Sequence, residues 1–148
     1  MATDDPHGLV TLRCDEGVDR LLRRAVARIE AHGLEVFEVI DHSGDAAEVG
    51  LTMPDTKLVL FQHPQTAAEL MLIDPRTAID LPLKLLIREG PGGDVIVSYN
   101  SPAYLTRRYR LTDGEAVPLR LVETIARETR RMTNAACSAA PAGRDRTR

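Results

Sequence analysis

Apolar and polar residues alternate along Leu9-Val-Thr-Leu-Arg-Cys14, the period of a strand with one covered face. The period then changes. Val18, Leu21, Leu22, Ala25, Val26 and Ile29 recur at helical spacing, with Arg20, Arg23, Arg24 and Arg28 pointing away, which predicts an amphipathic helix. Asp15 is the expected N-cap, because its carboxylate can accept from free amides of the first turn, and Gly33 is the expected stop. Alternation resumes over Glu35 to Asp41, where Val36 beside Phe37 leaves the buried face ambiguous.

Residues 45–50 predict a short helical turn, broken by Gly50 and Pro54. Lys57 to Phe61 is a nearly continuous apolar run, as in a central strand; Pro64 ends it, and Thr66 to Leu72 reads as helix. The clearest hairpin joins Leu83–Glu89 to Val95–Tyr99 through Gly90-Pro-Gly-Gly-Asp94, whose glycines supply turn conformations. Pro102 stops the second arm, Ala103 to Tyr109 reads as helix, Asp113-Gly114 as a turn, and a last helix spans Pro118 to Ala136. The order is strand, helix, four strands with helical inserts, helix. Without strict alternation of strand and helix, this predicts an α+β domain, a mainly antiparallel sheet with helices on one face. Residues 9–137 are read as that single domain, between a flexible start at 1–8 and a disordered basic tail at 138–148.

Composition narrows the partners. The 148 residues are 43% hydrophobic but only 3% aromatic, with no Trp, so the core must come from Leu, Val, Ile and Ala. A stacking platform for single-stranded nucleic acid is not expected. The net charge of −3 divides unevenly: residues 1–100 carry 9 basic and 17 acidic side chains, residues 101–148 carry 10 and 5. The basic end reads as a solvated helix and tail, and overall acidity weakens steering toward phosphate, so nucleic acid is an unfavoured partner. Apolar runs are about a strand long, well short of the roughly 20 residues of a membrane helix, and Met1 to Gly8 is acidic and polar rather than a signal sequence. The expectation is a cytoplasmic protein with no membrane association.

Catalytic signatures are absent. Cys14 and Cys137 form neither a disulfide framework nor a C-x-x-C pair, and Asp15 and Glu16 would raise the Cys14 thiol pKa. No serine has a nucleophile elbow around it, and Gly90 to Gly93 lacks the lysine and helix of a phosphate loop. A zinc site from Asp41, His42, His63 and Asp80 would require the strands ending at His42 and His63 to run parallel. No metal or cofactor is expected. What stands out is polar punctuation at strand ends: Asp41-His42, Asp80 before Leu81-Pro82-Leu83, and Tyr99-Asn100 followed by Arg108. The phenol, amide and guanidinium of Tyr99, Asn100 and Arg108 together suit a small carboxylate or phosphate ligand, and Asp80 either caps a turn or lines a cleft. Asp41, His42, Asp80, Tyr99, Asn100 and Arg108 are therefore the ligand-binding candidates, equally suited to a helix–sheet junction or a dimer seam. An Asp/His acid–base pair drawn from Asp41, His42 and Asp80 is the enzyme alternative, and an interaction module for protein or nucleic acid is the third class.

These segments carry a family resemblance. Ile40-Asp41-His42, Ala46 or Ala47 with Gly50-Leu51, Pro54-Asp55-Thr56, Phe61, Leu70-Met71, Asp80-Leu81-Pro82-Leu83 and Tyr99-Asn100-Ser101-Pro102-Ala103-Tyr104-Leu105 follow in order. Over roughly Leu9 to Ala136 the chain resembles the bacterial and archaeal domain-of-unknown-function family 302. The resemblance implies a TATA-binding-protein-like β-α-β4-α fold, usually a homodimer, and no established activity. A sheet covered on one side only also leaves an apolar face for a second copy. The chain departs from the family at Phe61-Gln62-His63-Pro64 and Ala67-Ala68, where glycines are replaced and close approach of a ligand to the backbone is lost.

Overall fold

Strands β1 (Thr3–Asp4), β2 (Leu9–Cys14), β3 (Glu35–Asp41), β4 (Thr56–Gln62), β5 (Leu83–Glu89) and β6 (Val95–Asn100) form one sheet in a computed structural model. The structure describes residues 3–131, with side chains from residue 5 onward. Sheet order is β1-β2-β6-β5-β4-β3, and every neighbouring pair is antiparallel. Helices α1 (Val18–Ala31) and α5 (Leu121–Arg130) cover one face, α1 over β3 to β5 and α5 over β2, β6 and β5. Shorter helices α2 (His42–Glu48), α3 (Pro64–Ile73) and α4 (Pro102–Tyr109) are inserts between strands or after them. This is the β-α-β4-α order read from the sequence, plus β1, which forms within the stretch read as a flexible start. Residues 132–148, including the end of the expected last helix and the basic tail, lie outside the described residues.

Alternation produces this arrangement. Along β5, Leu83, Leu85 and Ile87 are buried under the helices while Lys84, Leu86 and Arg88 stand on the other face. Register carries the same sidedness across the sheet: Leu85 pairs with Val59 and Leu86 with Leu58 and Ser98. The helix-facing set meets Leu21, Ala25 and Ile29 of α1 and Val122, Ile125 and Ala126 of α5, all essentially inaccessible to water.

Local chemistry sets the boundaries. Helix α1 is capped by Gly17 rather than Asp15, and Gly17 makes no side-chain cap bond. Asp15 lies two residues before the cap, outside its geometry, while Glu16 is spent on an ion pair with Arg24. At the other end Gly33 has φ +72°, its amide bonds Glu30 O and the Leu34 amide bonds Ile29 O. That is the Schellman arrangement, with Leu34 buried beneath it. The Val36/Phe37 ambiguity resolves as a bulge: Val36 pairs with Phe61, Glu38 with Leu60, and Phe37 between them is 45% exposed.

Phe61 is fully buried between sheet and helices, so Phe61→Ala opens a large cavity. Urea unfolding should show a loss of about 3–5 kcal/mol; a loss below about 1 kcal/mol contradicts this core assignment.

Candidate functional site

The sheet has two ends, and the sequence-derived candidates divide between them. Asp41 pairs with Lys57 at one end, whereas Gln62, just before His63, pairs with Glu35 at the other. His42 and His63 therefore stand at opposite ends, as an antiparallel pair requires, and no group of three metal-binding side chains converges among the described residues.

At the first end Asp41 caps α2. Its carboxylate accepts from Gly44 N at 2.8 Å and Ser43 Oγ at 2.7 Å, and pairs with Lys57 Nζ at 2.7 Å. Lys57 also meets Asp55 at 3.1 Å, and Ser43 accepts from the Thr56 amide. The Lys57 hydrogen bond, with the Gly44 amide and Ser43 behind it, holds the Asp41 carboxyl well below the usual carboxylate range. A carboxylate so engaged is a poor general base at neutral pH. His42 is exposed and makes no hydrogen bond to a carboxylate among the described residues, so the geometry an Asp/His pair requires is not formed. The network instead fastens α2 to the edge of the sheet.

At the second end Asp80 ties α4 to the start of β5. Its carboxylate accepts from the Tyr109 hydroxyl and lies 3.7 Å from Arg108, whose guanidinium sits 5.7 Å from the centre of the Tyr109 ring. Burial first, and then the bond to Asp80, push the Tyr109 hydroxyl up to about 12. Tyr99 pairs with Val10 and points into the helix-covered core, while Asn100 pairs with Leu9 on the open face. Cys14 is buried, and burial pushes its thiol up, away from nucleophilic chemistry. At the departure from the family pattern, His63 precedes Pro64 at the start of α3, and its Nδ1 is buried without a hydrogen-bond partner.

The six candidates thus do not share one cleft. The feature best shaped for a ligand lies on the open face of the sheet, a concavity of about 290 Å³ bounded by β2, β6, β5 and β4. Leu9, Leu58 and Leu86 form its apolar surface, and Thr11 and Ser98, 3.3 Å apart through their hydroxyls, lie beside Leu86. Lys84, Arg88 and Asn100 supply its polar groups. Of the sequence-derived set, Asn100 lines it from the open face, and Tyr99 borders it while its ring belongs to the core on the other face. Little in the sequence marks Lys84 and Arg88: two cations four residues apart on a strand whose other charge is its terminal Glu89. A second hollow, of about 390 Å³ between α4 and α5, contains both Arg107 and Arg120 and both Asp113 and Glu123, with Arg120 bonded to Asp113 at 3.3 Å. Its charges are largely answered from within.

Comparison with known proteins fits this fold. The family described as "Domain of unknown function DUF302" matches residues 10–137. The chain belongs to this family. This DUF302 domain is also similar to an uncharacterized conserved DUF302 protein from Bacillus stearothermophilus, of known crystal structure, with a TM-score of 0.69 at 16% identity. That match covers 82% of this chain and 94% of the other, and shows the fold alone. Among curated proteins it is 33% identical over 124 residues to the "Fluoride-specific ion channel FluC 1" of Brucella suis and to that of Brucella abortus. Those matches cover 84% of this chain but 49% and 46% of the relatives, so the DUF302 domain spans about half their length.

Because Tyr109 ionises late, ultraviolet titration of the folded protein should contain a tyrosinate step near pH 12 that Tyr109→Phe removes. A phenol with a raised folded pKa stabilises the fold fully below its unfolded value of about 10, and that contribution is lost as pH climbs toward the folded value. The wild type should therefore lose more stability than Tyr109→Phe between about pH 10 and 12. Identical profiles would contradict the assignment.

Proposed function

We propose that this DUF302 domain is a small-ligand-binding or sensor module, with its site in the open-face concavity. One observation carries the reading: apolar side chains line a hollow that also holds two cations, two hydroxyls and an amide, all on adjacent strands of a rigid sheet. A mainly apolar hollow with a few converging polar groups is the usual form of a small-molecule site. The relatives support a module of this kind. They are named as fluoride-specific ion channels, and an ion channel must span its membrane with helices or a closed barrel. No described helix here is long and apolar enough to cross a membrane, and the sheet is open, ending at β1 and β3. On this reading the shared half is the ligand-responsive part of those proteins, and the conducting part lies in their other half.

A second reading has its own observation. Ile40, Leu58 and Leu60 share the open face on β3 and β4, next to the exposed Phe37. That half of the face suits a second copy of the chain, making the module a homodimer with the concavity beside the seam.

A thermal-shift panel of phosphate, fluoride, hexanoate and 1,6-hexanediol tests the ligand reading. A ligand at about 100 times its Kd adds about 2.7 kcal/mol, or roughly 5–10 °C in Tm for a chain of this size. Thr11→Trp, which fills the concavity, should abolish the shift. Equal shifts in Thr11→Trp and wild type would place binding elsewhere. Light scattering tests the homodimer: twice the chain mass is expected, falling to one chain mass in Leu60→Glu, and a wild-type monomer would end that reading.

A further inference from the structure

We propose that the ligand of the open-face concavity is an elongated dianion, two carboxylate-like groups joined by an apolar middle. This rests on the reading that the concavity binds a small ligand, and it names the ligand's class. Lys84 and Arg88 stand four residues apart on the same face of β5, with Leu86 between them. At the rise of a β-strand their Cα atoms are about 13 Å apart. Leu58 on β4 lies beside Leu86, so the stretch between the two cations is apolar on that side. On the other side Ser98 and, beyond it, Thr11 offer hydroxyls. Asn100 lies two positions beyond Ser98, toward the Lys84 end, where its amide can share a carboxylate with the ammonium.

Neither cation forms a direct ion pair among the described residues, although the Asp80 carboxylate acts on Lys84 from a distance. The Lys84 ammonium donates to two carbonyl oxygens, of Asp80 at 3.3 Å and Pro82 at 3.0 Å, leaving one of its three donors. Arg88 makes no ion pair or hydrogen bond within the described chain. The Asp80 carboxylate is taken up by the Tyr109 hydroxyl and Arg108, and the other carboxylates are engaged or distant. Asp94 is bonded to Arg13 at the margin of the face. Glu35 and Glu38 belong to edge strand β3, two strands and about 10 Å from β5. Glu38 moreover accepts from the Val39 amide at 3.2 Å.

Charge and length then choose among ligands. A neutral apolar molecule would cover the leucines but leave both cations without a partner, in a place partly shielded from water. A compact anion such as phosphate would meet one cation and leave Leu86 and Leu58 bare. A molecule with a carboxylate at each end and methylenes between meets both cations and both leucines. Burial pushes the Lys84 ammonium pKa down, against the pull of the Asp80 carboxylate, and a ligand carboxylate arriving there would push it back up.

Isothermal titration of the full chain with succinate, adipate and suberate, against hexanoate and 1,6-hexanediol at constant ionic strength, tests the class. Adipate or suberate should bind at least tenfold more tightly than hexanoate. Lys84→Met and Arg88→Met should each reduce that affinity to the hexanoate level. Both residues stand on the open face away from the core, and an unchanged circular dichroism melt of each variant verifies that it folds. Hexanoate binding as tightly as adipate, with Arg88→Met silent, overturns the dianion while the ligand-binding reading stands. Adipate affinity surviving in the Lys84→Met/Arg88→Met double variant overturns it as well. Absence of binding by every acid and by the diol removes both the dianion and the concavity as a site.

Discussion

Everything in this molecule depends on the two-residue period of its central strands. In β5 the inward positions are leucine and isoleucine and the outward positions are lysine, leucine and arginine. The inward set is held under α1 and α5, and a slip of one residue would drive Lys84 and Arg88 into that core. Register is therefore fixed by the cost of burying two cations as much as by the gain of burying aliphatic carbon. The same requirement that builds the core thus delivers both cations to the uncovered face.

The ends of the sheet are closed differently, each by side chains that bond to one another. At one end Asp41, Ser43, Asp55 and Lys57 satisfy one another and pin α2. At the other, Asp80 faces both ways. Its carboxylate holds Tyr109 and Arg108 on the α4 side, while its backbone carbonyl holds Lys84 of the open face.

Much of the fold was legible because alternation, helical spacing and glycine placement agree in this sequence. Strands β2, β3 and β5 begin and end where alternation does, and Gly33 stops α1 through its positive φ. Asp15 is not the N-cap of α1 because the helix starts at Val18, leaving Asp15 two residues before the Gly17 cap, a boundary that the apolar spacing alone does not mark. The bulge at Phe37 was visible only as an ambiguity. Candidate site residues were harder. Asp41, His42 and Asp80 are conspicuous at strand ends, yet their partners are structural, and the ends they occupy are set by pairing rather than by local sequence. Lys84 and Arg88 have no motif around them; they become a pair only when register sets Leu58, Ser98 and Asn100 on the same face.

Methyl and amide NMR mapping during an adipate titration addresses the open face most directly. Shifts confined to Leu9, Thr11, Leu58, Leu86, Ser98 and Asn100, with helix-side Leu12, Leu85 and Val97 still, are the predicted result. Shifts centred instead on Ala103, Thr106 and Val10 at the α4–α5 hollow, or none at all, would contradict the account.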